Sequence, residues 1–498
     1  MASVTKISGV SYRYPTSNPD SPSPIEDLNL QIQPGESVLI CGGSGSGKSS
    51  VIRLLNGLIP NYHEGELTGT VTHGDHVINE EPLYNTGSFT ATVFQNPRTQ
   101  FFTTDVTSEL AFGCENFGMD PEEIRARIVQ VADELALWNL LGKNLFRISG
   151  GEKQRVACGC SIMAQPDLYL FDEPTSNLSP KAIAGFRDIY KRLRDQGATL
   201  VVAEHRLYFL RDLVDRVIIM EQGKIKAELT GEEFWKLSPA ERRHFGLRDL
   251  QAPHKPELPT IRVNRKQGED DTAADDIFHI IDSGALRRSD FDAGLSIRDL
   301  TFSYGDKKVL DIPYLDLPAG KVTCVAGPNG AGKSTFANVL TGLAKAKGSF
   351  TFRDQKMSAK ARLRKSYMVM QDVHRQLFGT SVTDELTLDS RHKKTNPEEI
   401  EQLLYEFDLT EVADRHPLSL SGGQKQRVVI ATAKACGKDI IVFDEPSSGL
   451  DYSHMQAIAR AIRELADQNK VVVVITHDYE LMNLCGDLLL HIDKRVAS

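Results

Sequence analysis

Long apolar runs are missing from this sequence. The longest uninterrupted ones, such as Val471 to Ile475 and Ile440 to Phe443, fall far short of the roughly 20 residues that span a bilayer. They read instead as strands buried on both faces of a parallel sheet. The opening MASVTKISGV has neither the basic start nor the apolar core of a secretory signal, so the chain is expected to stay in the cytosol. A surplus of positive charge is missing too. The formal net charge of -9 argues against a protein that wraps nucleic acid, and no nucleic-acid partner is expected. None of the seven cysteines falls in a CxxC pair, which removes the usual disulfide and zinc signatures. The closest two, Cys158 and Cys160, have small or apolar neighbours and are expected to be reduced thiols of a buried helix.

What is present is duplication. A chain of 498 residues, 40% of them apolar, is long enough for two cores. The segment GGSGSGKSS at Gly42–Ser50 returns as GPNGAGKST at Gly327–Thr335. ISGGEKQRV from Ile148 returns as LSGGQKQRV from Leu420, LYLFDEPTSNL from Leu168 as IIVFDEPSSGL from Ile440, and VVAEH ending at His205 as VVITH ending at His477. Lys48 and Lys333 are 285 residues apart, whereas Ser149 and Ser421, Glu173 and Glu445, and His205 and His477 are each 272 apart. The second copy has thus lost residues only between its first two motifs, and the gap-free remainder reads as one geometric unit.

Residues 1–235 and 294–498 are therefore expected to be two domains, with 236–293 as a linker or loosely packed extension, because the run GEDDTAADD and its surroundings offer little apolar periodicity. A tether of this kind keeps the halves at an effective concentration of about millimolar, which favours their pairing. Each copy alternates strands and helices, for example strand SVLIC, helix SSVIRLLNGL, strand DLYLFDE, helix AIAGFRDIYKRLRD and strand ATLVVAEH. That order predicts an α/β fold with a mostly parallel sheet and ligand loops at the carboxyl ends of its strands. A helical insertion is expected around Pro121 to Leu141, its core stripe being Ile124, Ile128, Val131, Leu135 and Trp138.

The pattern GxxxxGKS between a strand and a helix is a phosphate cradle, in which backbone N–H groups and a helix N-terminus converge on anionic oxygens. In the first copy it comprises Gly42, Gly43, Ser44, Gly45, Ser46, Gly47, Lys48, Ser49 and Ser50. In the second it comprises Gly327, Pro328, Asn329, Gly330, Ala331, Gly332, Lys333, Ser334 and Thr335. Lys48 and Lys333 supply charge to the terminal phosphates of ATP, and Ser49 and Ser334 place a hydroxyl on Mg²⁺. A glycine turn that binds nothing is the plainer reading of one such loop, but not of two. Asp172 and Asp444 end apolar strands, where each can hold the metal through water. Glu173 and Glu445 are placed to orient and deprotonate the attacking water. His205 and His477 each follow the glutamate by 32 residues. A lone histidine there is more often a satisfied core residue, and the repetition favours a place beside the γ-phosphate.

With these residues in place, the chain resembles the ATP-binding subunits of ABC transporters over nearly its whole length outside the linker. SGGE and SGGQ look like the signature of that class. The resemblance implies tandem phosphate-loop nucleotide-binding domains, each with a helical subdomain, that face one another so that each nucleotide lies between one phosphate loop and the other half's signature. It implies that Gln95 and Gln371 link the metal site to a membrane partner, and that Tyr14 and Tyr304 stack on adenine. One site would then combine Lys48, Ser49, Gln95, Asp172, Glu173 and His205 with Ser421, Gly422, Gly423 and Gln424. The other would combine Lys333, Ser334, Gln371, Asp444, Glu445 and His477 with Ser149, Gly150, Gly151 and Glu152. The second departs from the pattern, since Glu152 stands where glutamine is usual and Ser179 replaces the acidic residue that Asp451 supplies to the first.

A finer resemblance is to the energy-coupling-factor (ECF) importers of vitamins and transition metals. VFQNPRTQFFTTDVTSELAFGCENFG from Val93, IPNYHEGELTGTV from Ile59 and AEHRL from Ala203 fit that group, whereas MQDVHRQLFGTSVTDEL in the second copy keeps Gln371, Gln376 and Phe378 but lacks the QNP triplet. It implies an ATPase on the cytoplasmic side of the membrane, bound to a transmembrane T component and a substrate-binding S component. Tandem ATPases of sugar importers share the length and the two heads. Soluble tandem ABC ATPases that act on ribosomes usually carry a long charged insertion or a cysteine cluster, which this chain lacks.

Two outcomes are expected. Replacing Lys48 and Lys333 together should abolish ATP binding and hydrolysis, and turnover retained in that double variant would remove the phosphate-loop reading. Glu173→Gln should lower steady-state turnover more than Glu445→Gln, and equal losses would make the differences at Glu152 and Ser179 irrelevant to rate.

Overall fold

The computed structural model describes residues 3–15, 23–176, 178–263, 292–388, 396–420 and 422–494. The chain divides into two compact units, one reaching to Ala252, with Gly449–Ser453 grouped with it, and the other made of Pro253–Ser448 and His454 onward.

The first unit opens with an antiparallel sheet of strands β1 (Thr5–Arg13), β2 (Ile25–Ile32), β4 (Glu66–His73) and β5 (His76–Val77), in the order β2-β1-β4-β5. Its main sheet is built from β3 (Ser37–Gly42), β6 (Thr90–Val93), β7 (Leu168–Asp172), β8 (Thr199–Ala203), β9 (Arg216–Glu221) and β10 (Lys224–Thr230), in the order β10-β9-β3-β8-β7-β6. All neighbouring pairs are parallel except the hairpin β9–β10. Strands β3, β7 and β8 are buried at every position, as strands covered on both faces must be, and this explains their unbroken apolar sequences. Because β6, β7, β8 and β3 are adjacent and parallel, their carboxyl ends lie along one edge about 4.8 Å apart. The segments after them, which carry Gln95, Asp172 and Glu173, His205 and the loop Gly42–Gly47, are brought together by that edge.

The second unit repeats the plan. Strands β12 (Asp292–Tyr304), β13 (Lys307–Ala319), β15 (Lys347–Phe352) and β16 (Gln355–Lys356) form an antiparallel sheet in the order β13-β12-β15-β16. Strands β14 (Val322–Ala326), β17 (Ser366–Val369), β18 (Ile440–Asp444), β19 (Val471–Ile475) and β20 (Leu488–Ile492) form the main sheet with β11 (Thr260–Val263), in the order β11-β20-β14-β19-β18-β17. The registers agree between the units: Asp172 lies opposite Ala203, and Asp444 opposite Ile475.

Two sequence expectations are corrected. The stretch from 236 is not a linker throughout. Its first part forms the helix Pro239–His244, capped reciprocally by Ser238 and Glu241, and belongs to the first unit. Thr260–Val263 then pairs in parallel with β20 as the edge of the second sheet, its alternating exposed and buried residues fitting an edge strand better than any count of apolar residues would show. Residues 264–291, which include GEDDTAADD, lie outside the described residues. In the helical region, Ile124, Val131 and Leu135 join the core, while Trp138 is 52% exposed. The helix Pro121–Glu134 has ended before it, and Ala136 takes a positive φ of 50°, so helical spacing cannot be extended to position 138. The helices Val106–Asn116, Pro121–Glu134 and Gly150–Ala164 supply Leu110, Cys114, Val131, Val156 and Cys158 to one shared core. Among the described residues no helix is long and apolar enough to cross a membrane.

The core under β7 is aromatic. Phe171 meets Phe186 edge-on and Tyr190 at a tilt, each with centroids 5.5 Å apart. Phe171→Ala should lower the stability of the first unit by about 3–5 kcal/mol, read as a shifted denaturant midpoint; a change below about 1 kcal/mol would mean that the site collapses around the loss.

Candidate nucleotide site in each half

The phosphate loop of each half leaves a strand, fully buried in the first half and buried up to its last residue in the second, and enters a helix, Lys48–Leu55 or Lys333–Thr341. Gly42 has φ 140°, and a Cβ there would stand 2.2 Å from the Met220 carbonyl oxygen; Gly327, at φ 150°, would meet the Ile492 carbonyl at the same distance. Only glycine lets the chain leave the sheet so close to its neighbour strand. Lys48 Nζ donates to the carbonyls of Gly42 at 3.1 Å and Gly43 at 2.8 Å. Lys333 Nζ donates likewise to Gly327 at 2.8 Å and Pro328 at 3.3 Å. Burial lowers the pKa of both lysines, and a triphosphate in the loop would act in the opposite direction, favouring the charged form. Ser46 Oγ is buried with no hydrogen-bond partner among the described residues, which suits a loop shaped for an anionic ligand.

The carboxylates stand where the strands predict. Ser49 Oγ donates to Asp172 Oδ1 at 2.8 Å, and Ser334 bonds Asp444 in the same way. Burial, with Glu173 adding to it, pushes the Asp172 carboxyl up to about 6; burial also raises Asp444. A divalent cation at these hydroxyl–carboxylate pairs would reverse both shifts, and the hard oxygen donors fit Mg²⁺.

Glu173 and Glu445 share an unusual backbone, with φ of 46° and 52°. Such left-handed conformations cost a non-glycine residue on the order of 1 kcal/mol or more. They are held by the N–H of Glu173 donating to Ala203 and that of Glu445 to Ile475, both at 2.8 Å. The Glu173 carboxylate accepts from Gln95 Nε2 at 2.8 Å and Ser176 Oγ at 3.2 Å, and lies 3.4 Å from His205 Nε2. Burial alone would raise its pKa, but the His205 ring leads the neighbours that hold it below the usual carboxylate range. The corresponding distance from Glu445 to His477 is 4.0 Å.

Each half thus gathers its own loop, Ser–Asp pair, Glu and His. Gln95 joins the first cluster, whereas Gln371 is exposed. Ser149 and Glu152 lie elsewhere in their unit. They cap the helix Gly150–Ala164, with Glu152 Oε2 accepting from the N–H and hydroxyl of Ser149, both at 2.7 Å. The carboxylate at this departure from the family pattern is therefore occupied by its own N-cap, and the Ser149 hydrogen bonds outweigh burial to keep its pKa low. Gly150 and Gly151 form the first turn of that helix, as Gly422, Gly423 and Gln424 do in the helix Gly422–Ala435; Ser421 lies outside the described residues. Tyr14 is partly buried, accepting from Arg53 at 2.9 Å and lying edge-on to Tyr12. Tyr304 is 59% exposed.

Sequence reasoning assigned no role to a pair of buried braces. Gln100 accepts from the N–H of Phe94, as Gln376 does from Met370. Glu109 accepts from the N–H groups of Phe102 and Thr103, as Glu385 does from Phe378 and Gly379. These glutamates are buried, yet Phe102 and Phe378 are 76% and 78% exposed. The signal was legible: Gln95 and Gln371, Gln100 and Gln376, and Glu109 and Glu385 are each 276 residues apart.

Comparison with known proteins agrees with this duplication. The family model described as "ABC transporter" matches residues 25–176 and 310–448. A protein of Treponema denticola, provisionally named an ABC transporter ATP-binding protein, is 39% identical over 93% of this chain and 91% of its own length. A Bacillus subtilis protein, provisionally named HMP/thiamine import ATP-binding protein YkoD, is 30% identical over 94% of this chain and 86% of its own. The solved structure of RNase-L Inhibitor is 23% identical, covering 96% of this chain and 87% of that one with a TM-score of 0.59, a likeness of fold.

Proposed function

Because the chain belongs to the ABC transporter family of ATP-binding proteins, we propose that it is the energising subunit of an ECF-type importer, seated on the cytoplasmic side of the membrane and driving uptake of a vitamin, vitamin precursor or metal ion through separate membrane subunits. It is an ATPase. The observation that supports the reading is that both halves keep a phosphate loop, a Ser–Asp pair, a glutamate and a histidine at matching strand ends, which favours two working sites over one site and a regulatory remnant. The thiamine-import name of the Bacillus subtilis relative supports the substrate class. The braced loops that expose Phe102 and Phe378 support a docking place for a T component, with the S component selecting the substrate.

In this reading Lys48 and Lys333 hold the terminal phosphates of ATP, and Tyr14 and Tyr304 flank its base. Ser49 with Asp172, and Ser334 with Asp444, hold Mg²⁺, helped by Gln95 and Gln371; the bound cation neutralises charge that builds on the phosphates. Glu173 and Glu445 take the proton of the attacking water. His205 and His477 face the γ-phosphate and orient the glutamates. The signatures, Ser149 to Glu152 and Ser421 to Gln424, close on the nucleotide of the opposite half, so ATP binding draws the halves together and hydrolysis releases them.

Purification of the tagged full-length chain from its own membranes tests this. A polytopic transmembrane protein and a small substrate-binding membrane protein should copurify, and ATP turnover of the assembly should drive vitamin or metal uptake into proteoliposomes. A chain that instead partitions with ribosomes and binds RNA with a steep salt dependence would contradict the importer.

A further inference from the structure

Beside the first catalytic cluster lies a buried carboxylate to which the mechanism above gives no task. Glu204 follows β8, immediately before His205, and is 2% exposed. Its Oε1 accepts from the N–H of Thr175 at 3.1 Å and from the Thr175 hydroxyl. Its Oε2 accepts from the N–H of His205 at 2.6 Å and that of Arg206 at 3.1 Å. Four donors on one carboxylate offset part of its desolvation, and burial still raises its pKa. Arg206 closes the same bracket, donating to the carbonyls of Thr175 at 3.3 Å and Leu178 at 3.2 Å. The turn carrying Glu173 and the turn carrying His205 are thereby tied together.

The second half builds this bracket differently. Thr476 occupies the position of Glu204, and the carboxylate has moved two residues on, to Asp478, which stands where Arg206 does. Ser447, the counterpart of Thr175, donates to Asp478 Oδ2 at 2.9 Å, and the N–H of Asp478 donates to Thr476 Oγ1 at 3.0 Å. The tie survives, but its donors are redistributed. The Thr476 hydroxyl now donates to Glu445 Oε2 at 3.2 Å, and the N–H of His477 reaches the same oxygen at 3.4 Å. In the first half the equivalent N–H is taken by Glu204.

From this contrast we propose that Glu204 is a positioning residue for hydrolysis. By taking the N–H groups of His205 and Arg206, it leaves the Glu173 carboxylate to Gln95, Ser176 and the His205 ring, whereas in the second half the Glu445 carboxylate is drawn onto the end of the neighbouring strand β19. A base held by a hydroxyl and a main-chain N–H of the neighbouring strand end is aimed differently from one held by side chains beside it, and on this proposal the first half is the faster of the two. The inference rests on the reading of Glu173 and Glu445 as the hydrolytic bases.

The test uses the full-length chain. Glu204→Thr with Arg206→Asp gives the first half the arrangement of the second, restoring the tie but moving its donors. Its expected behaviour is near-wild-type melting, a kcat about tenfold lower and an unchanged KM for ATP. A bracket that serves folding alone would leave kcat intact, because the introduced aspartate rebuilds it, and that result would overturn the proposal. Should the exchanged chain fail to fold, the equal-sized Glu204→Gln carries the test, since it sets an N–H against backbone donors. It should lower kcat at constant KM, and an unchanged kcat would overturn the proposal. The reverse exchange, Thr476→Glu with Asp478→Arg, made in a Glu173→Gln chain, should raise turnover above Glu173→Gln alone; no rise would overturn the proposal. If Glu173→Gln by itself keeps wild-type turnover, the base assignment fails first and takes this inference with it.

Discussion

Strands β7 and β18 are buried along their whole length and each ends in an aspartate, so the carboxylates of Asp172 and Asp444 leave the apolar sheet where little water can answer their charge. A buried carboxylate without compensation is costly. Here the compensation is a serine hydroxyl from the phosphate-loop helix, and burial still raises the pKa, most visibly at Asp172. The glutamate that follows must then turn sharply, and both copies accept a left-handed backbone to do so. The placing of the phosphate loop, the Ser–Asp pair, the glutamate and the histidine follows from four parallel strands ending side by side with these residues at their tips.

Much of this was legible in the residues. The phosphate loops, the Asp–Glu pairs and the histidines fall on strand ends because an apolar run followed by charge marks where a buried strand surfaces, and the repeat doubles each signal. Other features depend on partners that no spacing records. Trp138 departs from its stripe because the helix stops one turn earlier. Thr260–Val263 becomes a sheet strand because β20 offers an open parallel edge, not because its own composition is distinctive. Glu152 reads as a charge beside a phosphate until the structure shows it capping Ser149. Glu204 was visible in AEHRL, but its use depends on which N–H groups surround it.

The two halves therefore share a scaffold and differ in local wiring. Glu173 is held by an amide, a hydroxyl and an imidazole; Glu445 accepts from a threonine hydroxyl and a main-chain N–H on the neighbouring strand end. Such differences leave the sheet, the register and the phosphate loops untouched, so they alter how the glutamate is held without altering the fold.

The central claim is that each half forms a genuine nucleotide site. The most direct measurement is the stoichiometry of bound ATP on the full-length chain carrying Glu173→Gln and Glu445→Gln, by equilibrium dialysis with Mg²⁺ present. The account predicts two nucleotides per chain, falling to one when either Lys48 or Lys333 is also replaced. A single nucleotide that survives the loss of either lysine would contradict it.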